Sequence, residues 1–410
     1  MRRTSSPGDR GTSASGTVTV GPLVVGEPRR FRQDGAYGVA ATVELAGRCH
    51  EIWYTSTAGP LADDPEVFLA AALLPAMRCG VPVQIPRPVS VRLLRATARI
   101  GEILHAWDPA LERVPVDAAG VRVTPGVAGR GIGLFFSGGV DSFYSLLKHQ
   151  ERVTHLIFAH GFDVPLENRA LRARISEALR GVAADLGKPL IEVDTNLREF
   201  SDAYTWWSRH YHGAALASVA LLLGRQLQRA YVASTYPISH LIPWGSHPAV
   251  DPLWSTELME IVHDGCEATR LEKTAAIANW ELALRRLRVC FENPDGTYNC
   301  GRCEKCVRTM VHLRLAGGLD RCPAFAQPLD LDRLVRLRIP DHNREYFAES
   351  LAVLERTGRD PALARALRSC LIRQRWIQRW DVMPRALARL RRAMRTAGAE
   401  PPAMTHTWQR

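Results

Sequence analysis

Four cysteines and one glycine turn are the residues of this chain whose types and spacing point to chemistry. Cys290, Cys300, Cys303 and Cys306 lie in VCFENPDGTYNCGRCEKCVRTM as C-x9-C-x2-C-x2-C. A C-x2-C pair sets two thiolates on one tight knuckle, and the upstream cysteine completes a tetrahedron. Four thiolates leave a metal no open position, the form of a structural Zn²⁺ site; an iron–sulfur cluster is the alternative with the same ligands. The turn lies in GLFFSGGVDSFYSLLKH, residues 133–149. An apolar run passes through Ser137, Gly138 and Gly139, and Val140, Asp141 and Ser142 stand where a helix is expected to begin. Such a turn makes backbone N–H groups converge at the positive end of a helix dipole, which builds an anion site. Ser137 and Ser142 would add hydroxyl donors. Asp141 would repel a phosphate directly, so it is expected to hold a Mg²⁺ that bridges to the phosphates, or to cap the helix.

SGGVDS lacks the Gly-Lys-Ser/Thr of the Walker loop and the third glycine of the dinucleotide fingerprint. It resembles the PP-loop of the ATP pyrophosphatases of the N-type, adenine nucleotide alpha hydrolase-like group. That group contains argininosuccinate synthetase, the NAD and GMP synthetases and several tRNA-modifying enzymes. The resemblance implies adenylation: ATP is split between its α and β phosphates, AMP passes to a substrate oxygen, and pyrophosphate leaves into the loop. It also implies that AHGFD, with His160, Gly161 and Asp163, lies near the adenine and ribose; Asp163 would touch the ribose or cap a turn. In related synthases a lysine at a helix start lies near the phosphates, which makes Lys273 of ATRLEKT the candidate here. Arg270, three residues earlier, points to the same side of that helix. The bland alternatives are a surface ion pair of Arg270 with Glu267 and a solvated Lys273. Asp141, Lys273 and Arg270 are thus the expected catalytic groups.

A PP-loop followed by a four-cysteine site resembles the 7-cyano-7-deazaguanine synthase family, over roughly residues 131–320. That resemblance implies activation of a carboxylate for attack by ammonia. Three features depart from the family: nine residues separate the first two cysteines, HGFDVP follows the second strand, and extra segments flank the shared part. The chain is read as a divergent relative.

The elements that must position these groups begin at residue 131, where GIGLFF, THLIFAHGF, KPLIEVDTN and RAYVAST alternate with apolar-periodic helical stretches. Four apolar strands with a helix between each pair imply an α/β fold, a parallel, doubly wound, Rossmann-like sheet that binds ligands beyond its strands' carboxyl ends. Residues 1–16 are expected as a disordered tail and 17–128 as an N-terminal α+β accessory domain. Residues 129–325 are the PP-loop domain with the zinc site, and 326–410 a helical, basic extension. Within residues 236–277, a stretch of about 20 residues holding His240, Ser246, His247, Asp251, Ser255 and Thr256 reads as a substrate-covering loop, followed by the helix that carries Arg270 and Lys273.

The bulk composition fits this reading. The chain has 410 residues, 46% of them hydrophobic and 23% charged. Its apolar runs fall short of the roughly 20 residues that cross a bilayer, and a cytoplasmic protein is expected. Of the 53 basic residues only Lys148, Lys188, Lys273 and Lys305 are lysines; an arginine skew of this kind reflects coding bias more than a nucleic-acid surface. The net charge of +11 suits anionic partners, ATP above all. The expected partners are ATP and a small-molecule carboxylate or amide, with RNA a weaker expectation, no membrane, and a homodimer kept open. A sulfur-transfer enzyme is the rival reading; it needs a reactive cysteine outside the knuckle, and Cys266 and Cys322 are the candidates. A protein or peptide acceptor is a further alternative.

Overall fold

The computed structural model describes residues 21–123, 130–290 and 292–376. The tail expected over 1–16 and the arginine-rich stretch from 377 onward lie outside the described residues. Short β-branched runs give β1 (Leu23–Val25), β2 (Arg29–Gln33), β3 (Ala36–Leu45) and β4 (Arg48–Ser56), paired antiparallel around β3. Helices α1 (Pro65–Cys79) and α2 (Val91–Trp107) follow, with β5 (Val83–Ile85) and β6 (Val89–Ser90) between them. Pro65 opens α1, where its missing N–H has no intrahelical partner to lose. Strands β7 (Val116–Ala118) and β8 (Val121–Arg122) end this part.

From residue 131 strand and helix alternate: β9 (Gly131–Phe135), α3 (Val140–His149), β10 (His155–His160), α4 (Arg169–Asp185), β11 (Leu190–Thr195), α5 (Leu197–Asp202), α6 (His212–Leu222), β12 (Leu227–Ala233), β13 (Glu260–Asp264) and α7 (Arg270–Ile277). These five strands are parallel and lie in the order β13-β12-β9-β10-β11. The sequence reading expects four. The fifth, EIVHD, has three ionisable residues in five, which hides its strand character; an edge position with ion-pairing partners tolerates them. Glu260 pairs with Arg229 at 2.6 Å, and Asp264 accepts from Ser145, Lys148 and His149 of α3 at 2.6–2.9 Å.

The sheet does not stop at β11. Asp194 and Thr195 pair antiparallel with Thr55 and Tyr54 of β4, so the N-terminal strands prolong the sheet that carries the glycine turn. Backbone pairing therefore crosses the boundary expected near residue 128. Alternation along the strands divides the core in two: Leu134, Phe136, Leu156 and Phe158 face α3, α4 and the C-terminal helices, whereas Phe135, Ile157 and Ala159 face α1 and α6. Helix α6 is apolar almost all round because it lies between the sheet and α1. Its one buried hydroxyl, Ser218, donates to Val67 O at 2.7 Å and lies 2.6 Å from the Tyr54 hydroxyl. The last of the described residues form α8 (Glu281–Arg286), α9 (Glu304–Leu315), α10 (Leu331–Arg336), α11 (Arg344–Thr357) and a helix over 361–376. Among the described residues no helix is long and apolar enough to cross a membrane.

Candidate active site and metal centre

The glycine turn leaves the central strand β9 where the strand order reverses, between β9 and β12, and ligands of open α/β sheets bind at such a point. Gly138 has φ +74° and its carbonyl accepts from Arg288 N at 2.7 Å. Only glycine takes that conformation without strain, and a Cβ there would lie 3.5 Å from the Arg288 Cβ. Gly139 caps α3, Val140 is buried beneath it, and the Ser142 hydroxyl donates back to Gly139 O at 3.0 Å. That hydroxyl is thereby engaged within the turn. Ser137 stands at the strand end, partly exposed.

Asp141 meets Arg270 and Lys273, the two other residues expected to be catalytic. Arg270 Nη2 donates to its Oδ2 at 2.6 Å, and Lys273 Nζ lies 3.5 Å from its Oδ1 and donates to Ser234 O at 2.7 Å. Glu267, the alternative partner of Arg270, instead accepts from Lys148 and Tyr144. Lys273 is not a solvated side chain but only 1% exposed. Burial holds its ammonium below the usual lysine range, partly offset by Asp141. Burial also works against the Arg270 charge, but there the Asp141 field prevails and the pKa is raised.

Two further cations surround the turn. Arg288 (5% exposed) crosses it, and Arg308 (2% exposed) projects from α9, its guanidinium 4.5 Å over the Tyr346 ring. Arg270 lies 5.8 Å over the same ring. The buried donors Arg270 Nε, Arg288 Nε and Nη2, and Arg308 Nε have no hydrogen-bond partner among the described residues. A buried polar group left unpaired costs about 1–3 kcal/mol, more when charged. Arg270 and Arg308 lie close enough for their charges to act on each other. Tyr346 comes from the C-terminal extension, stacks on Tyr236 at 6.4 Å and donates to Thr235 O at 3.2 Å. Trp244 packs edge-on to Tyr236 at 5.7 Å, so an aromatic wall stands beside the cations. The segment between β12 and β13 is pinned, with Asp251, Trp254 and Ser255 buried.

The AHGFD residues are placed less uniformly. His160 turns into the α4 layer, 3% exposed, with Nε2 3.0 Å from Glu192 and 3.3 Å from Ser176; the structure does not bring it to the turn. Gly161 has φ +88°, and a Cβ there would sit 2.0 Å from Thr195 O, so its lack of a side chain serves the close approach of two strand ends. Asp163 is exposed past the end of β10, with its field reaching Lys305 and His212.

The four cysteines form one cluster, all Sγ atoms within 4.8 Å of one another. Backbone N–H groups of Asn293, Cys303 and Cys306 point at Cys290, Cys300 and Cys303 sulfurs at 3.3–3.4 Å, the arrangement that steadies thiolates around a cation. Asn299 clamps the knuckle: its Oδ1 accepts from Val289 and Cys290 N, and its Nδ2 donates to Leu287 O and Ala324 O. Cys303 caps α9, the helix that presents Arg308. The donor set fits a tetrahedral thiophilic metal.

Of the two other cysteines considered, Cys322 is inert. It is buried, donates to Leu284 O at 3.2 Å, and burial pushes its thiol up to about 11. Cys266 stands just past β13, 3.2 Å from Ser234 Oγ. Compared with protein-family models, curated proteins and solved structures, the chain gives no match. The sequence reading missed Arg288, Arg308, Tyr346 and Asn299. Arg288 and Asn299 stand inside or beside the cysteine segment, but one arginine among 49 carries no positional signal.

Proposed function

We propose that the chain is an ATP-dependent, AMP-forming ligase that adenylates a carboxylate of a small molecule and releases pyrophosphate. The observation that carries this reading is the ring of buried cations at the glycine turn, whose unpaired guanidinium donors match the oxygens of a polyphosphate. In this reading β9–β13 form a Rossmann-like nucleotide-binding sheet with the triphosphate over the α3 N-terminus. Lys273 and Arg270 stabilise the charge that builds on the α-phosphorus, and Arg288 and Arg308 retain the departing pyrophosphate. Asp141 holds the two cations in register. It is also the carboxylate available to Mg²⁺, since phosphate binding by Arg270 would free one of its oxygens. Mg²⁺ when bound supplies further charge neutralisation at the phosphates. Tyr236, Trp244 and Tyr346 form an aromatic cluster beside the cations, against whose partly exposed Trp244 an aromatic acid would pack. Adenylation turns the acid's oxygen into a good leaving group, so that ammonia or an amine displaces AMP. Zn²⁺ on Cys290, Cys300, Cys303 and Cys306 is structural in this account, and reduced thiols there suit a cytoplasmic enzyme.

The test is pyrophosphate release from Mg·ATP by purified protein, screened against heteroaromatic carboxylic acids. Release that depends on one acid and is lost in Asp141→Ala supports the reading. Absence of release with every acid, together with absence of ATP binding, refutes it.

A further inference from the structure

Beside the cation ring lies a second constellation to which the adenylation reading gives no role. Asp251 is buried, 1% exposed, in the segment between β12 and β13. One of its oxygens accepts from the Ser246 hydroxyl at 2.6 Å and lies 2.7 Å from His263 Nδ1; the other accepts from His247 N at 3.1 Å. A carboxylate fixed by three partners fixes the imidazole in turn, so that Nδ1 donates to Asp251 and Nε2 is the ring nitrogen left for another partner. His263 belongs to β13, and Cys266, three residues on and past the strand end, lies close enough for each to shift the other's titration. Cys266 is partly exposed, as a reacting group must be. Gly265, with φ +95°, makes the bend between strand and cysteine and lies against the Lys273 ammonium; a Cβ there would be 3.5 Å from Lys273 Nζ.

Ser234 joins this trio to the cation ring. Its carbonyl accepts from Lys273 at 2.7 Å, and its hydroxyl, which donates to Tyr236 O at 2.7 Å, lies 3.2 Å from Cys266 Sγ. Lys273 in turn reaches Asp141, and the neighbouring Arg270 has its Nε buried and unpaired. The sulfur therefore stands one residue away from groups assigned to the α-phosphate. His212 and His247 are the other titratable groups whose fields meet Asp251 and His263, and burial depresses both, so they add little positive charge there.

We propose that Cys266, His263 and Asp251 form a nucleophilic triad that takes the acyl group from the adenylate before the final acceptor does. This deepens the adenylation reading and rests on it. The Cys266 sulfur attacks the acyl carbon, a C–S bond forms, the acyl C–O bond to AMP breaks, and AMP leaves with the electron pair. The thiol proton is already held on His263, whose pKa is pushed up to about 9, so the sulfur attacks as thiolate and the imidazolium proton remains available to the leaving group of the next transfer. The thioester is then open to an amine, and no oxidant or reductant takes part. Burial raises the Cys266 thiol, but the neighbouring His263 ring, the Ser234 hydroxyl it lies against and the charge of Lys273 outweigh it and bring the pKa below the usual cysteine value.

The experiment uses iodoacetamide at pH 7 on the full-length protein, with peptide mapping of all nine cysteines, with and without Mg·ATP. Cys266 is expected to be alkylated about tenfold or more faster than the exposed Cys49, because an ordinary thiol is only a few per cent ionised at that pH. His263→Gln should bring the rate down to that of Cys49, and Mg·ATP should slow labelling of the wild type. Unchanged far-ultraviolet circular dichroism shows whether the variant is folded, and Ser246→Ala is a second, milder way to loosen Asp251. A Cys266 labelled no faster than Cys49, or labelled equally fast in a folded His263→Gln protein, overturns the triad. Fast, His263-dependent labelling that Mg·ATP does not slow, without pyrophosphate release for any acid, overturns the adenylation reading and the acyl transfer with it, while leaving an activated thiol. With an acid that does support release, a hydroxylamine-labile mass increase on Cys266, equal to the acid less water, is the expected product. Its absence in an acid quench of active enzyme overturns the acyl-transfer step.

Discussion

The glycine turn and the cysteine knuckle are mirror images in charge. At the turn, buried cations gather with unpaired donors and one carboxylate among them; at the knuckle, four sulfurs gather within 4.8 Å of one another. In the proposed reading each takes a partner of opposite sign, and the two are mechanically joined. Arg288 lies on the turn two residues before Cys290, and α9 starts at Cys303 and presents Arg308. The difference lies in how each is built. The knuckle is local, made by spacing and backbone N–H groups. The turn's cation ring is assembled from α7, α9 and the segment between them, so it exists only when the chain is folded.

The comparison can be broken most forcefully at the knuckle. Cys303→Ser, or removal of metal by a strong chelator, is expected to unfold the segment from Arg288 to α9. Structural Zn²⁺ contributes on the order of 10 kcal/mol to folding in small domains. Loss of about one metal per chain and a collapse of the melting temperature should coincide, and nucleotide binding should go with them. Metal loss with undiminished nucleotide binding would uncouple the two regions.

At the turn, Asp141→Ala leaves Arg270 and Lys273 buried without their carboxylate. Truncating one partner of such a pair costs about 3–5 kcal/mol, and thermal unfolding of the ligand-free protein should show it. Pyrophosphate release should fall at least about a hundredfold, the scale of losing one element of electrostatic preorganisation.

Arg288→Met sharpens the distinction between a structural and a ligand-directed cation. It removes unpaired buried donors, so the ligand-free protein should become more stable, by about 1 kcal/mol, whereas affinity for pyrophosphate should fall. Equal loss of both would make Arg288 a structural residue. The smallest effect is in the pH dependence. Burial disfavours the charge of His263, but its hydrogen bond to Asp251 outweighs this and pushes the pKa up to about 9. With an unfolded value near 6.5, its contribution to stability is complete below that pH and is lost as pH rises through about 9. Wild type should therefore lose more melting temperature than His263→Gln between pH 7 and 10.

What the sequence discloses follows the same division. The knuckle could be read residue by residue, because metal ligation imposes spacing. So could the turn and its strand-turn-helix setting, because glycine conformations and dipoles act within a few residues. Lys273 was reachable through a resemblance and Arg270 through its helical spacing from Lys273, but neither signal foretold that both would meet Asp141. Arg288, Arg308 and Tyr346 were not legible, since nothing in LRVC or REYF says which side chain a distant turn will meet. Strand β13 was hidden by Glu260, His263 and Asp264, the residues that make an edge strand look like a loop. The continuity of β4 with β11 was hidden too, because antiparallel pairing between distant segments leaves no local mark. His160 misleads for a related reason: a strand's alternation sent it into the α4 layer, where Glu192 and Ser176 occupy it.

The central claim is that the cation ring is a polyphosphate site, and calorimetric titration of inorganic pyrophosphate and of Mg·ATP into the zinc-loaded protein tests it most directly. Saturable binding of both, weakened about tenfold or more in Arg288→Met, is the predicted result for loss of a charge-assisted hydrogen bond. Absence of binding by a folded, metal-replete protein would contradict it.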